Sequence, residues 1–129
     1  MLRLLLLLTL VPIAASGCSL FGLDGCTDRN ALNFEPNADN NDGSCSYSRV
    51  VFYRVADGPS ARVTVDDVIV GTVSVSHPDG PANCATPGTA QYQIRDGDVH
   101  EWAAEAGSVV NSGTVRAERF TSCIEVQVF

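Results

Sequence analysis

The chain contains no lysine. Its positive charge rests on eight arginines against fifteen Asp and Glu, and the formal net charge is −7 at pH 7. Nucleic acid demands a basic footprint, so this balance excludes a nucleic-acid partner. It also argues against adhesion to an anionic membrane through a basic face. Histidine is scarce: His77 and His100 are the only two. They have no ligand spacing to each other, and no two cysteines are spaced C-x-x-C, which removes the usual zinc patterns. G-x-S-x-G, H-E-x-x-H and a Gly-rich phosphate loop are all missing. No segment carries a convincing helical period. The longest apolar run, Leu4 to Ala15, is a dozen residues, where a membrane-crossing helix needs about 20.

That short run has the form of an export signal. Arg3 supplies the positive n-region, Leu4–Ala15 the apolar stretch, and Ala15-Ser16-Gly17 a small-residue cleavage site just before Cys18. The pattern resembles the lipobox of bacterial lipoproteins, with Ala15 where Leu is usual. The resemblance implies a diacylglycerol on the Cys18 thiol, loss of residues 1–17 and a membrane partner reached through the lipid. Two or more acyl chains give stable attachment, at ~0.8 kcal/mol per buried methylene. Ser19 rather than Asp follows the cysteine, which by the same resemblance favours the outer membrane over the inner. The remaining side chains, seven Arg against fifteen acids, sum to −8.

With Cys18 assigned to lipid, Cys26, Cys45, Cys84 and Cys123 remain, an even number in an exported chain. Three connectivities are open. Cys26–Cys45 with Cys84–Cys123 is the expected one, because the first pair brackets one short polar segment and the second lies in the β-rich region. Four parts follow: a signal over 1–17, a lipidated tether over 18–23, an Asn/Asp-rich module over 24–47 and a β-domain over 48–129.

The module reads Gly25-Cys26-Thr27-Asp28, then Ala31-Leu32-Asn33-Phe34-Glu35-Pro36-Asn37-Ala38, then Asn41-Asp42-Gly43-Ser44-Cys45. It resembles the cysteine-bracketed G-C-T-D…D-G-S-C module of secreted bacterial proteins, similar in style to thrombospondin type 3 repeats. Copies often carry a further cysteine where Leu32 stands; its absence leaves Cys26 and Cys45 to each other. The resemblance implies calcium held by the oxygens of Asp28, Asn33, Asp39, Asn41 and Asp42. The strict D-x-[DN]-x-[DN]-G loop is not met, since Ala38 stands where the first Asp belongs. The alternative is that these residues only form turns, as Asn and Asp do by bonding their own backbone.

The rest is rich in Val and Thr. Arg49–Val55, Ala61–Val65, Val68–Val75, Thr89–Arg95, Val99–Ala106, Thr114–Glu118 and Cys123–Phe129 read as strands. Ala61, Val63 and Val65 share one face, as do Trp102, Ala104 and Ala106, and Ile124, Val126 and Val128. Asp66-Asp67 and Asp96-Gly97-Asp98 read as hairpin turns, Gly71 as a bulge and Ser112-Gly113 as the approach to a strand. The stretch His77–Gly88, with three prolines, is a long loop fastened by Cys84. Val63–Thr72 resembles the V-x-V-D-G-x-x-V-G-T hairpin of PEGA domains, with Asp67 in place of Gly. The expected fold is all-β, a small antiparallel β-sandwich of Ig-like or PEGA-like kind behind the disulfide-closed module.

Catalysis needs partners with divergent pKa values. His100 is expected to be an ordinary polar strand residue, and Asp96, Asp98 and Glu101 solvated turn carboxylates. No enzyme is therefore expected. A structural or protein-interaction role in the envelope is the first reading. A carbohydrate- or calcium-dependent binding module, using exposed Tyr47, Tyr53 or Trp102, is the second. A small hydrolase would require His100 within reach of both an acid and a hydroxyl in a pocket.

Overall fold

A computed structural model describes residues 22–129. The signal, Cys18 and residues 19–21 of the tether lie outside the described residues. The described chain is all-β and contains no helix. Nine strands form three sheets: β1 (Asp24–Gly25) with β2 (Asn40–Asn41); β3 (Ser48–Tyr53) between β6 (Ala90–Ile94) and β9 (Cys123–Gln127); and the order β5-β4-β7-β8, with β4 Ala61–Val65, β5 Val68–Val73, β7 Val99–Ala106 and β8 Val109–Arg116.

Alternating β-branched residues build the larger sheets and the core lies between them. Ala61, Val63 and Val65 from β4 meet Trp102, Ala104 and Ala106 from β7, and Val50 and Phe52 from β3 close on them. All are buried, as is Val128. Ile124 and Val126 pack against this core half-buried. Most pairings are antiparallel, but β9 joins β3 in parallel, Arg49 opposite Cys123.

Val51 points away from this core yet is fully buried. It pairs with Glu125, and Gly80 of the proline-rich loop lies over the Glu125 side chain. The Cys84–Cys123 disulfide ties that loop to the first residue of β9. The loop is thus a lid on the outer face of the three-stranded sheet. Arg54 holds the neighbouring loop: its buried guanidinium group donates to the carbonyls of Ala56 and Pro59.

The β4–β5 turn has positive φ at both Asp66 (47°) and Asp67 (65°), the conformation of a type I′ hairpin. Asp tolerates this region better than most side chains, so the turn forms without the usual glycine. The bulge expected near Gly71 is present: Val63 pairs with Gly71 and Thr64 with Ile69, leaving Val70 extra.

Two local expectations are corrected. Asp96–Asp98 does not make a hairpin, because β6 and β7 belong to different sheets; the turn carries the chain across the sandwich. Ser112-Gly113 is the interior of β8, which pairs with β7 along its whole length. Gly113 lies opposite Trp102, and a Cβ there would stand 3.0 Å from the indole ring. The glycine makes room for the tryptophan rather than a turn.

Register defines the two ends of the sandwich. Ser48 pairs with Ile94, Arg49 with Cys123, Val65 with Trp102 and Val99 with Arg116. The module, the Asp66–Asp67 hairpin, the Arg95–Asp98 crossing and the 117–122 loop therefore share one end. The Gly107–Ser108 turn and the C-terminus lie at the other.

Candidate functional site

The module has almost no core of its own: Cys26 and Ala31 are its buried hydrophobics. Covalent and polar links hold it instead. Cys26 and Cys45 are bonded, with Cα atoms 4.8 Å apart. Asn33 joins the two arms: its amide donates to Ser44 O at 2.8 Å, and its oxygen accepts from Ser46 N at 2.7 Å. Leu32 N donates to Ser46 O at 2.7 Å alongside.

Asp28 fastens the module to the sandwich. One oxygen accepts from Asn30 N at 2.9 Å and the other from the Tyr47 hydroxyl at 2.7 Å. Arg95 approaches the same carboxylate at 3.9 Å and lies 5.5 Å from the Tyr47 ring centroid. The Asn30 amide, with Tyr47, holds the Asp28 carboxyl below its usual range, and its hydrogen bond in turn raises the Tyr47 hydroxyl. Asp96 N donates to Asn30 O at 3.1 Å, a second link across the junction.

The other expected calcium ligands also accept backbone hydrogen bonds. Asp39 accepts from Leu23 N at 3.2 Å, Asn41 from Gly43 N at 3.0 Å and Asp42 from Ser44 N at 2.9 Å. The Ser44 contacts lower the Asp42 pKa. Among the described residues no three His, Cys, Asp or Glu side chains group as a cation would need. Asp28, Asp39 and Asp42 are thus not brought together, and Asn33 and Asn41 serve the backbone. The geometry is that of turns closed by their own side chains.

His100 is the other candidate. Its Nδ1 lies 2.5 Å from Asp66 Oδ2, and Nε2 is 3.9 Å from Asp98. The ring meets Tyr92 edge-on at 5.2 Å. Asp66 also accepts from Glu101 N at 3.0 Å. The His100 bond, then the Glu101 amide, holds the Asp66 carboxyl below its ordinary range. Asp96 instead faces Arg119 at 3.5 Å. Asp96 and Asp98 thus go to different partners, Glu101 takes part through its backbone amide, and His100 clamps the hairpin turn to β7.

The aromatics expected for a glycan site are not displayed. Trp102 is only 8% exposed and packs on Phe52 at 5.9 Å. Tyr47 and Tyr53 are half-buried. Among the described residues the exposed aromatic is Phe120, at 82%, in the 117–122 loop. Nothing in its sequence neighbourhood marks it, because its exposure follows from the loop's path. Phe120, Arg119 and Asp96 line an apolar-rich depression with Leu32 and Phe34 of the module.

Comparison of the chain with protein-family models, with curated proteins and with solved structures found no match.

Proposed function

We propose that the chain is a lipid-anchored cell-envelope protein whose exported part is a non-catalytic structural or protein-interaction module. The cysteine pairing carries this reading: Cys26 with Cys45 and Cys84 with Cys123 account for all four cysteines after Cys18. Cys18 then stands alone behind a short apolar run and small residues, where lipid attachment explains it. Disulfides of this kind suit an oxidising compartment. On this reading the cysteine-bracketed module, which resembles thrombospondin type 3-like repeats, is a stapled connector that joins the tether to one end of the sandwich. Ser19 after the lipidated cysteine favours the outer membrane.

The test is expression of the full chain in a bacterium, membrane flotation, and mass spectrometry of the N-terminal peptide. The expected peptide begins at Cys18 with a diacylglyceryl mass, and Cys18→Ser leaves the membrane fraction while keeping its fold. An N-terminal peptide that starts elsewhere, or carries no lipid, overturns the proposal.

A further inference from the structure

We infer that the module end of the sandwich is a membrane-seated surface, with Phe120 entering the interface of a zwitterionic phospholipid bilayer. This rests on the lipidation of Cys18. The five peptide steps from Cys18 to Leu23 span at most about 18 Å. An acylated Cys18 therefore keeps Leu23, where the module begins, within that distance of the lipid, whatever the path of the tether. Leu20 and Phe21 within it are apolar.

Of the eight exposed large apolar side chains among the described residues, five lie at the module end: Val68, Ile69 and Val99 by strand register, Leu23 beside the module and Phe120 in the 117–122 loop; Val75, Val109 and Val110 lie toward the other end. Phe120 is the most exposed of them, at 82%, and has φ of +68°. A bulky residue in the left-handed region is strained, and strain of this kind persists where the surrounding structure holds it. Here the backbone cost and the hydration cost fall on the same side chain. Burial of the ring in a headgroup layer offsets the second. The Arg119 guanidinium lies 5.8 Å from the Phe120 ring centroid, an apolar-and-cationic pair suited to the headgroup boundary. Asp66, Asp67, Asp96 and Glu118 share this end, which selects a zwitterionic surface over an anionic one.

The experiment uses the full lipidated chain in phosphatidylcholine vesicles containing brominated phosphatidylcholine, which quenches nearby indole. Phe120→Trp is compared with Val109→Trp at the opposite end, after subtraction of the Trp102 signal from the parent chain. Seating at headgroup depth should quench Phe120→Trp about twofold and shift its emission to the blue, with Val109→Trp unchanged. Equal quenching of the two, on protein whose N-terminal mass includes the lipid, overturns this inference and leaves the anchor standing. Protein without the lipid mass overturns both. Circular dichroism of each variant verifies the fold, which an exposed position should tolerate.

Discussion

Removing the two disulfides one at a time should produce two different kinds of loss. The Cys84–Cys123 bond closes 39 residues, and the chain-entropy relation gives about 4 kcal/mol for that loop. The Cys26–Cys45 bond closes 19 residues and gives about 3 kcal/mol. The magnitudes are close; the location of the effect is not. Fourteen buried residues join both sheets of the sandwich in one core. The module contributes only Cys26 and Ala31 to the buried hydrophobics and cannot hold itself closed by burial. Cys84→Ala with Cys123→Ala should therefore lower the stability of the whole sandwich. With a urea slope of about 1.5 kcal/mol/M, its midpoint falls by about 2–3 M. Cys26→Ala with Cys45→Ala should open the module alone, a sub-global unfolding. Urea titration read by Trp102 fluorescence reports the sandwich core. Hydrogen exchange at the amides of Leu32, Glu35 and Asp42, all bonded within the module, reports the other unit. The second variant should lose protection at those amides while its Trp102 midpoint moves less than about 0.5 M. Equal shifts of the Trp102 midpoint in both variants would refute the division into two units.

Three further outcomes are expected. Arg54→Ala strips two loop carbonyls of a buried cationic donor and should cost about 2–3 kcal/mol by chemical denaturation; a loss below half of that would mean water replaces the guanidinium group freely. Phe120→Gly relieves the positive φ at a position with little packing to lose, so it should stabilise by about 1 kcal/mol in thermal melts, and a lower Tm would show that the ring is structural. The Asp66 carboxyl titrates lower folded than unfolded, so its contribution is complete above its unfolded pKa and disappears as pH falls through the lower folded value. Asp66→Asn should therefore flatten part of the acid limb of the stability–pH curve below about pH 4; an unchanged acid limb would remove the Asp66–His100 clamp from the account.

The proposed role follows from a division of labour within a small chain. The sandwich is stable through apolar burial and the Cys84–Cys123 tie. The module is held by a disulfide, Asx-type turns and the Asp28–Tyr47–Arg95 junction. Asp28 is central to that junction, since it satisfies the module's own Asn30 amide and also accepts from Tyr47.

Much of this was legible along the chain. Period-two alternation placed Ala61, Val63 and Val65, and Trp102, Ala104 and Ala106, on buried faces, because one face of each strand must leave water. Cysteine number and spacing pointed to the two disulfides that form. Other features depended on neighbours distant in sequence. Asp96-Gly97-Asp98 has hairpin composition, but its turn residues do not say whether the next strand joins the same sheet. Gly113 is punctuation in the sequence and a clearance for Trp102 in the sheet. The Asn and Asp residues of the module are rich in side-chain oxygens, and composition is blind to which backbone amides those oxygens reach. Local pattern determined most of the strands and pointed to the cysteine pairs, because periodicity and parity are properties of short segments. Only the tertiary structure decided the parallel β3–β9 pairing, the His100–Asp66 clamp and the exposed Phe120, because each depends on which chain ends the fold brings to one side.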